Sequence, residues 1–214
     1  INPYDEFGLT KAVFLKEQNQ ASITVLCVGD QTVEPILRKA LAIGADNAIR
    51  INYSPEDSYS TAKEIANHVK SSKYDLIIAG KESSDYNSGA VPGMLADMLN
   101  IPFVNACNGL TINNDTIQLS REIDGGIENL ESKMPLIIGG QKGLVEESEL
   151  KIPNMRGIMT ARTKPLEVIE ASEKTTLVES IEFEKPPVKG NCKMIDENNI
   201  TDLVNELHNV AKVI

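Results

Sequence analysis

The residues best equipped for chemistry lie between Tyr74 and Leu99, in YDLIIAGKESSDYNSGAVPGMLADML. Leu76–Ala79 reads as a buried strand and Gly80–Gly93 as a loop of small and hydroxylated residues. Met94, Leu95, Met98 and Leu99 then share one face of a helix. A strand that ends in glycine and passes through a polar loop into a helix points free backbone N–H groups at one spot. The positive end of the helix dipole reinforces that spot. In an open α/β sheet, ligands collect at such carboxyl ends of strands. The arrangement suits an anion or phosphate, and so a nucleotide. An ordinary strand-to-helix connection would read the same way.

Equipment for acid–base chemistry is scarce. The 214 residues hold two histidines, His68 and His208, and no tryptophan. Both histidines fall on polar faces of expected helices, where a solvated side chain is the ordinary outcome. Cys27, Cys107 and Cys192 are scattered, with no CxxC pair and no neighbouring histidine. This pattern gives neither a disulfide framework nor a metal site and fits a reducing compartment. Cys27, inside an apolar run, reads as a core residue. The balance favours a binding or carrier protein over a hydrolase. A net charge of −10 argues against nucleic acid. No run approaches a membrane span, so no membrane insertion is expected, and INPYDEFGLTK lacks the basic start and apolar segment of a signal peptide.

The elements that must position the loop alternate along the chain. Glu6–Glu17 has helical spacing, with Phe7, Val13 and Phe14 available for burial. Ser22–Val28 is a β-branched apolar run, as expected of a strand covered on both faces. Val33–Ile43 offers Ile36, Leu37, Ala40 and Leu41 to a helix, Ala48–Asn52 is a second strand, and Ser58–Ser71 is a helix with Ala62, Ile65, Ala66 and Val69 on one face. Strand–helix–strand–helix–strand implies right-handed crossovers and a parallel sheet. Beyond Pro102 the pattern changes. Phe103–Leu110, Thr116–Arg121 and Glu128–Glu131 read as short strands, separated by Asn113–Asn114–Asp115 and Asp124–Gly125–Gly126, which are hairpin signals. Met134–Ile138 reads as another buried strand, Lys151–Pro165 as a loose basic stretch, Glu167–Gly190 as an extended arm, and Ile200–Ile214 as an amphipathic helix. The fold class expected is α/β: a doubly wound, mostly parallel sheet of adenine-nucleotide-binding type, with antiparallel hairpin additions. Residues 1–168 would form the nucleotide-binding domain and 169–214 an arm and helix that pack on a partner.

Five stretches in order resemble the β subunit of electron transfer flavoprotein: INPYDEFGLTKAVFLKE, LRKALAIGADNAIRI, DLIIAGKESSDYNSGAVPG, REIDGGIENLESKMPLII and GIMTARTKPLEV. They cover residues 1 to about 170, and the tail from Ser180 matches more loosely. The resemblance implies a heterodimer with an α subunit that holds most of an FAD. The β subunit would supply a wall to that flavin and bury a structural AMP, or a second FAD in members that bifurcate electrons. Electrons would come from acyl-CoA or other flavin dehydrogenases and go to a quinone oxidoreductase or similar acceptor. The flavin would do the redox chemistry, and this chain would have no catalytic residue of its own. The setting implied is the cytoplasm of a bacterium, favoured here, or the mitochondrial matrix of a eukaryote.

Carried over by position, Asn2 of NPYDE would contact the nucleotide and Tyr4 would approach the flavin. Val28 would touch the AMP. Gly80, Lys81 and Asp85 agree with the family's phosphate loop. Where that loop usually carries Asn-Gln-Thr-Gly, this chain has Gly89-Ala90-Val91-Pro92. Ser88 and the backbone of Gly89, Ala90 and Val91 are then left as donors. In LKIPNMRGIMTARTK, Met155 takes the place of the family's partner-docking leucine, with Arg156 and Ile158 beside it. The family begins with a strand upstream of NPYDE, so the parallel sheet is expected to lack its first strand. Two other readings remain open on the residues alone. One is an adenine-nucleotide-using enzyme of the ATP-pyrophosphatase or ligase type, although Val28-Gly29-Asp30-Gln31 lacks that class's Ser-Gly-Gly-x-Asp-Ser loop. The other is a nucleotide-binding stress-type domain.

Overall fold

Helix α1 (Pro3–Asn19) begins three residues before its expected start. Proline occupies its first turn, Asp5 and Glu6 face the positive end of the dipole, and Lys16 lies in its last turn. This computed structural model describes residues 1–113, 116–172 and 175–214. The chain divides into two compact units, Ile1–Glu179 and Ser180–Ile214.

In the first unit, β1 (Thr24–Val28), α2 (Glu34–Ile43), β2 (Asn47–Asn52), α3 (Ser58–Lys70), β3 (Leu76–Gly80) and α4 (Ala90–Leu99) follow in the expected order. Helix α4 starts at Ala90, inside the stretch expected to be loop. Next come β4 (Phe103–Asn113), β5 (Thr116–Ile123), β6 (Gly126–Ser132), β7 (Leu136–Gly140), α5 (Met155–Ala161) and β8 (Leu166–Glu170). The Asp124–Gly125 turn joins β5 to β6. The expected Asn113–Asn114–Asp115 turn falls partly outside the described residues.

The sheet differs from expectation. The strands form two sheets: a parallel one in the order β1-β2-β8, and a mixed one in the order β3-β7-β4-β5-β6. In the second, β3, β7 and β4 are parallel, while β4, β5 and β6 run antiparallel. Local spacing specifies that a strand forms but not which edge it joins, so β3 pairs with the later strand β7. Likewise Glu167–Glu170, expected to open the arm, belong to β8, which pairs with β2 from Ala48↔Leu166 to Asn52↔Glu170. The stretch Lys151–Pro165, expected to be loose, contains α5, whose start Asn154 caps by accepting from the Gly157 N–H at 2.7 Å.

Helix α1 serves two cores. Phe7 and Leu15 pack with Val104, Cys107, Ile117, Leu136 and Ile138. Leu9 and Val13 pack with Leu37, Ala40, Leu41, Ala48 and Ala161, with Cys27 at the edge. A third cluster joins Ala66 of α3, Leu95 and Ala96 of α4 and Ile137 of β7. Two side chains expected in the core lie outside it: Ile36 is 43% exposed and Met94 36%. Burial raises the thiol pKa of both Cys27 and Cys107. This keeps them as inert thiols.

In the second unit, the expected terminal helix is divided. Helix α6 (Ile200–Asn205) passes into a π-helical turn, Glu206–Val210, closed by the Ala211 N–H donating to the Glu206 carbonyl at 2.8 Å. Ile200, Val210 and Ile214 are exposed. No helix among the described residues is long and apolar enough to cross a membrane.

Candidate functional site

The start of α1 meets the end of β3, and this junction assembles the site. Asp5 Oδ1 accepts from the Gly80 N–H at 2.6 Å. Asn2 Nδ2 donates to Asp5 Oδ2 at 3.1 Å and to the Glu82 carbonyl at 2.9 Å. Position 80 must be glycine: a Cβ there would lie 2.8 Å from Asn2 Nδ2, 2.9 Å from Tyr4 Cβ and 3.1 Å from Asp5 Oδ1. Asn2 Oδ1 is buried and has no hydrogen-bond partner among the described residues. A buried acceptor without a partner costs free energy unless something donates to it. A ligand amino or hydroxyl group could satisfy it.

Lys81 extends the edge of β3, its N–H donating to the Gly140 carbonyl at 2.9 Å. Its ammonium lies 5.1 Å from the centre of the Tyr4 ring, within reach of a cation–π attraction, and 3.8 Å from Glu82 Oε1. Tyr4 and Lys81 form one wall of an open cleft of about 770 Å³, completed by Glu122, Gln141, Lys142 and Glu146–Ser148.

The loop that follows is braced on itself. The Ser83 N–H donates to the Ser88 carbonyl at 2.9 Å, and Ser88 Oγ lies 3.0 Å from Ser58 Oγ at the start of α3. Asp85 accepts from the Tyr86 N–H at 2.8 Å, and hydrogen bonds from the Ser83 side chain and Tyr86 backbone hold its carboxyl below the usual range. Gly89 stands at the N-cap of α4 without a side-chain cap. The first-turn amides of Ala90 and Val91 belong to the donors that a helix cannot pair within itself.

The structure brings Asn2, Tyr4, Gly80 and Lys81 together, with Asp85, Ser88, Gly89, Ala90 and Val91 in the adjoining loop and helix start. Val28 ends β1, in the other sheet. Met155, Arg156 and Ile158 lie on α5, against α2 rather than in the cradle. Two residues escaped the sequence reading. Asp5 is given no site role there, although it sits within NPYDE. Asn105, in the bulged part of β4, has a buried Oδ1 beside Gly139, without a hydrogen-bond partner among the described residues. No sequence signal marks it.

An end-of-strand cradle beside an uncapped helix start is the architecture of a ligand-binding α/β domain. Residues 1–174 match the electron transfer flavoprotein domain, and the chain belongs to that family. It is 34% identical over 228 residues to the electron transfer flavoprotein subunit beta of Bacillus subtilis, covering all of this chain and 88% of that protein. The same subunit of Syntrophomonas wolfei is 34% identical over 218 residues, covering all of this chain and 85% of that one. That of Mus musculus is 31% identical over 224 residues, covering all of this chain and 86% of that one. Membership gives the chain an electron transfer flavoprotein role, and the pyrophosphatase and stress-domain readings give way to it.

Proposed function

We propose that this chain is the β subunit of a heterodimeric electron transfer flavoprotein, an electron carrier rather than an enzyme. An FAD held mainly by the α subunit supplies the redox chemistry when bound. This chain supplies a wall for it. The observation that carries the reading is Tyr4 on the cleft wall with the Lys81 ammonium over its ring. An aromatic face stiffened by a cation is suited to lie against a flavin and to stabilise negative charge near it. A second nucleotide, AMP or a second FAD in a bifurcating protein, fits the cradle. Asn2 Oδ1 would accept from it, and the amides of Gly89, Ala90 and Val91 would face its phosphate, as would Ser88.

The rest of the reading concerns partners. Residues 180–214 supply an arm and a helix whose exposed apolar side chains pack on the α subunit. The segment around Met155, flanked by Lys151, Arg156, Ile158 and Arg162, docks a flavin dehydrogenase that offers an apolar pocket with an acidic rim. A quinone oxidoreductase or similar acceptor receives the electrons. The compartment is the bacterial cytoplasm, or the mitochondrial matrix in a eukaryote.

Co-expression with a larger flavoprotein subunit tests the reading. A yellow one-to-one complex with a flavin spectrum is expected, and replacing Tyr4 by Ala should alter that spectrum while pairing persists. A colourless complex, or a spectrum indifferent to Tyr4→Ala, refutes the flavin-wall role.

A further inference from the structure

Helix α5 has seven residues, too short to hold its own shape in water. Yet it carries Met155, 75% exposed, and Met159, 67% exposed, beside the projecting Ile152, 80% exposed. Something else must hold it. Arg38 Nη1 in α2 donates to the carbonyls of Ala161, at 2.7 Å, and Lys164, at 2.8 Å. Lys164 Nζ donates back to the carbonyls of Leu41, at 2.8 Å, and Ala45, at 2.5 Å. Each helix thus has a carbonyl of its last turn, and one beyond its end, satisfied by a cation: Arg38 on α2 serves α5, and Lys164, in the turn after α5, serves α2. Gly157 closes the contact, because a Cβ there would run into the Ala42 carbonyl oxygen.

We propose that Arg38 and Lys164 are positioning residues for partner docking: their reciprocal capping of α2 and α5 fixes the angle at which Met155 is presented to an electron-donating flavin dehydrogenase. This rests on the docking role of Met155 proposed above. Ordering an apolar plug before encounter spares the complex the entropy of ordering it on binding. Both cations are engaged with backbone carbonyls of their own chain, so their effect passes through the orientation of α5.

The test uses the chain paired with its flavoprotein partner subunit and an acyl-CoA dehydrogenase that reduces the unmodified pair. Arg38→Gln is expected to raise the apparent KM for the dehydrogenase about three- to tenfold, the scale of a partly lost interface anchor. The rate at saturating dehydrogenase and the flavin content should stay unchanged. Arg38→Lys, still able to reach one carbonyl, should recover part of the KM. Gly157→Ala should reproduce the rise by pushing α5 away from Ala42, and it carries the test if Arg38→Gln fails to fold. In a Met155→Ala background, Arg38→Gln should change KM by less than about twofold, because coupled residues do not add. An unchanged KM in both Arg38→Gln and Gly157→Ala overturns the positioning role, as does an effect that multiplies with that of Met155→Ala. If Met155→Ala leaves KM unchanged while Arg38→Gln raises it, the docking reading fails instead, and the proposal falls with it.

Discussion

Replacing Asp5 by Ala should weaken the fold and empty the cradle together. The carboxylate accepts from the buried Gly80 N–H at 2.6 Å and from Asn2 Nδ2 at 3.1 Å. Losing an ionic acceptor for a buried amide costs about 1.5–3 kcal/mol, and the half-exposed Asn2 bond adds about 0.5 kcal/mol. Asp5 also lies in the first turn of α1, where a negative charge contributes about 0.3–1 kcal/mol. Because Asp5 is only half-buried, the lower part of these ranges applies, and Asp5→Ala should destabilise the complex by about 2–3 kcal/mol. Asp5→Asn is the discriminating variant. Its Oδ1 can still accept from Gly80, but its amide nitrogen then opposes the Asn2 amide nitrogen. Turning Asn2 over would relieve that clash at the expense of the bond to the Glu82 carbonyl. Its penalty should therefore be intermediate, about 1 kcal/mol. Urea unfolding of the purified complex, followed by circular dichroism, gives both values, and nucleotide released on heating should fall in the same order. Should Asp5→Ala unfold within about 0.5 kcal/mol of the unmodified protein, or Asp5→Asn prove as damaging as Asp5→Ala, the cradle is not held as described.

Gly89→Val should lower the nucleotide released on heating while leaving the partner's flavin in place, because a Cβ at position 89 already lies 3.0 Å from the Lys81 carbonyl oxygen; unchanged nucleotide content would remove the loop from the site. Deleting residues 180–214 should abolish stable pairing with the larger subunit, and a truncated chain that co-purifies at the same ratio with its flavin would refute the assignment. Asp57 should contribute an acid-sensitive hold on the chain beyond β8. Burial raises its pKa, but hydrogen bonds from the Ser60 backbone, the Leu177 backbone, the Ser60 side chain and the Val178 backbone together pull it below the usual value. A lowered folded-state pKa means that this stabilisation is present above the ordinary carboxylate range and fades as pH falls through the depressed value. Protease cleavage near Leu177 should thus rise on acidification below about pH 4 and rise less steeply in Asp57→Asn; equal pH profiles would argue against it.

What the sequence determined is what depends on neighbours a few positions apart. Ser58–Lys70 is helical because Ala62, Ala66 and Val69 recur on one face, and the Asp57 side chain caps it by accepting from the Ser60 N–H. The glycine-ended strand and the hydroxylated loop after it are equally local, as are the five stretches that mark the family. Tertiary structure decided what those local signals leave open. Nothing local ties the Asp5 carboxylate to Gly80, 75 positions away, until folding brings the two together. Nothing local marks Arg38 until its guanidinium meets the Lys164 carbonyl, 126 positions on. Strand partners were open in the same way: β2 is buried by β1 on one edge and by β8 on the other, and spacing along the chain carries no information about edges. Periodicity records which side of an element is apolar. Which distant backbone group needs a donor or an acceptor exists only once the chain has closed on itself, and the cradle and the α2–α5 brace are both made of such pairs.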